Sequence, residues 1–216
     1  MKSLSLLEAA QMMLRVYDRD RDPELEIVQQ IDIRGVQACT LKGGILVIPG
    51  TNEFSDWFQF NFDLGGRDRV ERHGFAVAHG DSGARWHGGF LEHAQIVYTF
   101  AKPQPLRYII GHSLGAASAQ IVGASLKLPT IALASPRTLR GDRPFPGEGW
   151  VVNVCRTDDT VCHVPPDFMG FRHLGSVYWL SPPEVNVGED HRVDKYIALM
   201  EAKVSPTLPQ AWPRAA

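Results

Sequence analysis

The stretch Leu106-Arg107-Tyr108-Ile109-Ile110-Gly111-His112-Ser113-Leu114-Gly115-Ala116-Ala117 decides the fold. Tyr108 to Ile110 is a short apolar run rich in β-branched residues and reads as a buried strand, whereas Leu114 to Lys127, alanine-containing and free of proline, reads as a helix. Ser113 falls in the turn between them, in the spacing G-x-S-x-G. A serine on so sharp a turn is held in strained backbone, and the lack of side chains at Gly111 and Gly115 lets strand and helix close around it. Its hydroxyl is then expected above the sheet. The N–H of Leu114 points the same way from the helix start, where unpaired backbone donors favour developing negative charge. The alternative is a serine that only caps the helix, between glycines that only shape the turn.

A chain of 216 residues with 44% hydrophobic content can bury a full core, and it is expected to form one α/β domain over 1–216 with a proline-rich tail from about 204. The formal charge of −2, without a basic block, argues against nucleic acid as a partner and against a polybasic anchor. No apolar run reaches the length of a membrane span. At the N-terminus, Glu8 and Arg15 interrupt any signal-peptide core, while Leu6, Leu7, Ala10, Met13, Leu14 and Tyr17 follow the spacing of an amphipathic helix. Cys39, Cys155 and Cys162 are odd in number and lack metal-ligand spacing, as do the eight histidines. A reducing, cytoplasmic setting is the expectation.

After the first helix, Arg19 to Pro23 is a charged break, and Gln37 to Leu41 and Ile45 to Ile48 read as strands joined at Gly43-Gly44. Phe54 to Leu64 is ambiguous. Phe54, Trp57, Phe58 and Phe62 form a helical stripe, yet Phe58, Phe60, Phe62 and Leu64 alternate as in a strand. A charged connector, Gly65 to Glu71, and a short strand, Phe75 to Ala78, precede a loop from His79 to Ala84 and a helix from about Gly89 to Phe100. Thr130 to Ala134, Val151 to Cys155 and Val177 to Leu180 read as further strands, and His191 to Lys203 as the last helix. Strands alternating with helices imply a mostly parallel central sheet with helices on both faces.

A serine hydroxyl needs a base, usually histidine, and the base needs a carboxylate to fix its tautomer. On sheets of this kind the order along the chain is Ser, Asp, His. The strand ending near Cys155 delivers the chain to Asp158-Asp159, and the histidines beyond are His163, His173 and His191. His191, opening the last helix after the loop Val187 to Asp190, can reach back over the sheet edge.

Six blocks now run together: Gly50-Thr51 with Asp56-Trp57; His87-Gly88-Gly89-Phe90; Gly111 to Ala117; Ser135-Pro136-Arg137; Asp159-Thr160-Val161-Cys162-His163-Val164-Pro165-Pro166; and His173-Leu174-Gly175. In this order the chain resembles the class 3 lipases, the fungal-lipase-like branch of the α/β hydrolases. The resemblance implies an α/β-hydrolase fold and hydrolysis of a small-molecule or lipid carboxylic ester, without metal or organic cofactor. It makes Ser113 the nucleophile, Asp159 the carboxylate and His191 the base, with the N–H groups of Thr51 and Leu114 holding the oxyanion. It also places the segment after Gly50-Thr51 at the lid or acyl pocket, so that Phe54, Trp57 and Phe58 become pocket candidates. His87 and His112 suit structural roles, and His112, beside Ser113, is also counted with the pocket. The same triad can transfer an acyl group to an alcohol or amine, or hydrolyse a thioester, and a degenerate pocket would leave only a binding protein. Two departures stand out: the chain is short between Asp159 and His191, and Cys162 stands where many members have proline.

Overall fold

The computed structural model describes residues 3–50, 77–184, 191–205 and 207–213. Its centre is a seven-stranded sheet. The strands are β2 (Ile27–Ile33), β3 (Val36–Leu41), β4 (Ile45–Ile48), β7 (Tyr108–His112), β8 (Thr130–Leu133), β10 (Val151–Arg156) and β12 (Ser176–Leu180), in the order β12-β10-β8-β7-β4-β3-β2. From β4 to β12 every pairing is parallel, and β3 alone is reversed, pairing antiparallel with both β4 and β2. The expected mostly parallel α/β sheet is therefore present.

The apolar runs of the central strands have a simple cause: both faces are covered, so both sets of alternating side chains are buried. Leu46, Ile48 and Ile109 point to one face, where α2 (Gly88–Ala101) and α3 (Leu114–Leu126) bring Phe90, Val97, Ala117 and Val122. Val47, Ile110 and Val152 point to the other, where α1 (Leu6–Tyr17) and α4 (Val193–Glu201) bring Leu6, Met13 and Tyr196. Helix α1 starts at a capping box, in which the Ser5 hydroxyl accepts from the Glu8 N–H and the Glu8 carboxylate accepts from the Ser5 N–H. Its fully buried Leu6, Met13 and Val16 each add about 1.5–3 kcal/mol by leaving water.

Two smaller sheets complete the described residues. One joins β5 (Val77–His79), β6 (Arg85–His87), β9 (Leu139–Arg140) and β11 (Phe171–Arg172) in the order β11-β9-β6-β5. The other pairs β1 (Leu4–Ser5) with β13 (Ala211–Trp212), Leu4 lying opposite Trp212. The proline-rich tail thus folds back as a strand, and the Trp212 Nε1–H donates to the Trp150 carbonyl at 3.1 Å. Strand β2 had no counterpart among the expected elements. It is an exposed edge, and a register shift between Ile27 and Gln29 breaks the alternation that would have revealed it. The last helix begins at Val193, so His191 sits in the turn before it rather than opening it. The ambiguous segment Phe54 to Leu64, the connector Gly65 to Glu71 and the start of the strand expected from Phe75 lie outside the described residues.

Strand β7 and helix α3 approach as closely as the G-x-S-x-G spacing demands. A Cβ on Gly111 would lie 2.6 Å from the Ala119 Cβ, and one on Gly115 would run into the Ile48 carbonyl, with the Pro49 oxygen at 2.6 Å. Gly115→Ala should therefore destabilise the fold by about 1–3 kcal/mol, the usual cost of forcing a methyl into filled space. Gly149→Ala, where an added Cβ meets nothing within 4 Å, should change stability by less than about 0.5 kcal/mol. Urea unfolding of the two variants against the parent checks both.

Candidate active site

Ser113 occupies the turn between β7 and α3 with φ 59° and ψ −125°, a left-handed conformation that costs a non-glycine residue energy and is held by its surroundings. Its N–H donates to the Leu133 carbonyl at 3.1 Å, and its own carbonyl accepts from Ala116 and Ala117 in the first turn of α3. The side chain makes no capping bond to the helix. Instead its Oγ lies 2.7 Å from Nε2 of His191, which removes the alternative of a simple helix cap.

The other ring nitrogen of His191, Nδ1, lies 2.9 Å from Oδ2 of Asp159. A carboxylate can only accept, so Nδ1 carries a proton and, in the neutral ring, Nε2 is left to accept from the serine hydroxyl. Asp159 follows β10, and its side chain is 1% exposed. Its Oδ1 accepts from the Val161 N–H at 3.0 Å, and its Oδ2 also accepts from the Tyr196 hydroxyl at 2.7 Å. Burial by itself would raise the pKa of this carboxyl. The bonds from His191, Tyr196 and Val161 outweigh it and leave the pKa below the ordinary value.

The rivals suggested by spacing are committed elsewhere. Asp158 turns the opposite way and takes Nε and Nη2 of Arg156 at 3.0 and 2.9 Å, in a pair whose side chains are 1% and 5% exposed. His163 bonds the Thr157 carbonyl at 3.0 Å and stacks on Trp179, and His173 bonds the Ser135 carbonyl at 2.8 Å. His87 accepts from the Phe90 N–H at the start of α2, a structural role.

His112 departs from its expected place at the pocket. It is 5% exposed, and both ring nitrogens are engaged: Nε2 donates to the His191 carbonyl at 2.9 Å and Nδ1 accepts from the Tyr17 hydroxyl at 2.8 Å. It therefore supports the site from behind rather than offering surface to a ligand. Cys162, the residue in the place of a proline, is buried with its Sγ 3.4 Å from the Tyr196 hydroxyl.

Tyr17 and Tyr196 are the site residues that spacing missed. Tyr17 closes the apolar stripe of α1, and Tyr196 lies in the first turn of α4, five residues past His191. A tyrosine on a buried face, whose hydroxyl must find a partner, was the only available signal.

Gly50 abuts the serine, since a Cβ there would stand 2.7 Å from the Ser113 Cβ and 3.2 Å from its Oγ. The chain leaving β4 is thereby brought to the hydroxyl. Leu114 begins α3, where first-turn N–H groups lack intrahelical partners. Thr51, Phe54, Trp57 and Phe58 lie outside the described residues. Among the described residues no cluster of His, Cys, Asp and Glu is placed to hold a metal ion, and no helix is long and apolar enough to cross a membrane.

Neither a protein-family model nor a curated protein sequence matches the chain. Solved structures do. The lipase of Rhizomucor miehei in complex with its propeptide is similar with a TM-score of 0.59 at 18% identity, over 83% of this chain and 70% of that one. Lipase II of Rhizopus niveus is similar with a TM-score of 0.58 at 20% identity, over 83% and 79%. A triacylglycerol lipase described as having a serine protease triad at its catalytic centre gives 0.58 and 20%, over 83% and 82%. The chain has the α/β-hydrolase fold of these lipases.

Two buried histidines set an acid limit to the fold. Burial pushes His93, whose Nδ1 meets the Ser118 hydroxyl at 2.6 Å, down from 6.5 to about 4. Burial, and then the neighbouring His191, push His112 down to about 3. Both remain neutral when folded but bind a proton once unfolded below pH 6.5, so stability is complete above that pH and declines as pH falls towards 4. Each histidine should cost up to about 1.4 kcal/mol per pH unit in this window. The lowered carboxyl of Asp159 acts only below its unfolded value of 3.8. Unfolding curves from pH 6 to pH 4.5 should show this loss, and His93→Gln should make it shallower by about one proton.

Proposed function

We propose that the chain is a serine carboxylic ester hydrolase acting through an acyl-enzyme. The observation that supports this most directly is His191, its two nitrogens 2.7 Å from the Ser113 hydroxyl and 2.9 Å from the Asp159 carboxylate, beside a turn that holds Ser113 in strained backbone. Ser113 Oγ attacks the ester carbonyl while His191 Nε2 takes its proton. The tetrahedral oxyanion is held by the N–H groups of Leu114 and Thr51. Collapse expels the alcohol, which receives the proton from His191. Water then enters, loses its proton to His191 and releases the acid, regenerating Ser113. Asp159 stays ionised throughout and stabilises the imidazolium; the depressed carboxyl pKa suits that role. The likeness in fold to a lipase with a serine protease triad supports the same reading.

The proposed substrates are soluble esters of short to medium acyl chains. A true lipase presents a wide apolar surface to a lipid boundary, whereas here the aromatic stretch Phe54 to Leu64 is followed at once by the charged run Arg67 to Arg72. Carrying a short-chain triglyceride through its solubility limit tests this. The expected rate saturates with dissolved substrate, and a sharp rise on droplet formation with efficient long-chain hydrolysis would overturn it.

Ser113→Ala should fold as the parent does yet lose fluorophosphonate labelling and nearly all ester turnover. Undiminished turnover would remove the nucleophile assignment. Asp159→Asn should lower turnover by about 10³–10⁴-fold, because the imidazole tautomer is no longer enforced. Asp158→Asn should act differently, lowering stability by about 3 kcal/mol because it breaks a buried ion pair with Arg156, with labelling of the folded protein retained. Steady-state kinetics and urea unfolding on the same preparations separate the two acids.

A further inference from the structure

We propose that Tyr17 and His112 are positioning residues, and that one hydroxyl keeps the oxyanion side and the base side of the Ser113 site in register. The inference rests on the ester-hydrolase reading above and adds to it how the two halves of the site are braced.

The bonds form a single directed chain. The Gly50 N–H donates to the Tyr17 oxygen at 2.7 Å, the Tyr17 hydroxyl lies 2.8 Å from His112 Nδ1, and His112 Nε2 lies 2.9 Å from the His191 carbonyl. Its direction follows from chemistry. A carbonyl can only accept, so His112 Nε2 carries the ring proton and Nδ1 must accept, which makes Tyr17 the donor to it. The tyrosine oxygen is then free to receive the Gly50 N–H. Burial keeps His112 neutral, so the direction does not reverse at ordinary pH. A second ring geometry reinforces the joint, since Tyr17 and His112 meet edge to face with centroids 5.6 Å apart.

The two ends of the chain are the two sides of the reaction. Gly50 precedes Thr51, the proposed oxyanion donor, and itself abuts Ser113. The His191 carbonyl belongs to the proposed base, whose ring follows where its backbone is held. His112 is also the residue immediately before Ser113, so the chain passes directly behind the nucleophile. Tyr17 itself comes from α1, which supplies no reacting atom. The residue as a whole is 39% exposed, yet its hydroxyl turns inward to these partners, and burial pushes its pKa up to about 12, so it holds its proton.

The test is Tyr17→Phe, which keeps the ring and deletes only the oxygen. Turnover depends on placing reacting groups to within about 1 Å, where an error costs roughly 100-fold. On a soluble p-nitrophenyl ester, kcat should fall about 10–100-fold with KM within about twofold, and fluorophosphonate labelling of Ser113 should slow in parallel. His112→Gln, which retains a donor for the His191 carbonyl but loses the tyrosine, should show a loss of the same order. The double variant should be no slower than the slower single variant, because both break one chain. Turnover and labelling within twofold of the parent in Tyr17→Phe would overturn the proposal while leaving the hydrolase reading intact, and losses that multiply in the double variant would overturn the single chain. A parent that neither hydrolyses esters nor labels at Ser113 would instead overturn the hydrolase reading, and with it any role for the relay in turnover.

Discussion

The rest of the structure depends on how closely α3 approaches the ends of β4 and β7. At Gly115 the helix backbone touches the Ile48 and Pro49 carbonyls, and at Gly111 the strand touches the helix side chains. That approach leaves the chain no room for an ordinary turn, and the left-handed Ser113 is the result. The strain is local, but the surfaces that enforce it are the two apolar layers of the sheet. Ile48 and Ile109 anchor one layer and Val47 and Ile110 the other, so the elbow can relax only if the core opens.

Behind the elbow, the problem is to keep charge buried. Adjacent acids at the end of β10 solve it in opposite ways. Asp158 is neutralised by Arg156 within two residues, whereas Asp159 accepts from the Val161 N–H close by and from the Tyr196 hydroxyl and His191 brought from elsewhere. The Tyr196 oxygen also accepts from the Arg156 N–H at 3.1 Å, which ties the two arrangements together. A carboxylate so well satisfied by fixed donors has little reason to take up a proton when the neighbouring imidazole changes charge.

What could be read in the sequence was what depends on near neighbours. The strand, turn and helix around Ser113 lie within twenty residues, and their alternation and glycine spacing carry physical meaning by themselves. The choice between Asp158 and Asp159 was not available in that way, because it turns on which direction a side chain takes at the end of β10. It came from resemblance to known lipases, and the geometry around His191 is consistent with it. Tyr17 and Tyr196 lie 33 and 37 residues from Gly50 and Asp159, so no local pattern could announce their bonds. Strand β2 was hidden by its register shift, and the strand in the tail by being only two residues long among prolines.

The pairing of β1 with β13 has a dynamic consequence. Chain ends ordinarily fray first and independently. Here Leu4 faces Trp212, and the N–H of Leu6 at the head of α1 donates to the Gln210 carbonyl at 3.0 Å. Neither strand can lift away without exposing polar groups on the other, so the two open together as one cooperative unit. Helix α1 lies within that unit, held at its first turn by the returning chain and at its last by the Tyr17 hydroxyl. Amide exchange in β1 and β13 should therefore share one opening rate, set by a clasp far from any reacting atom.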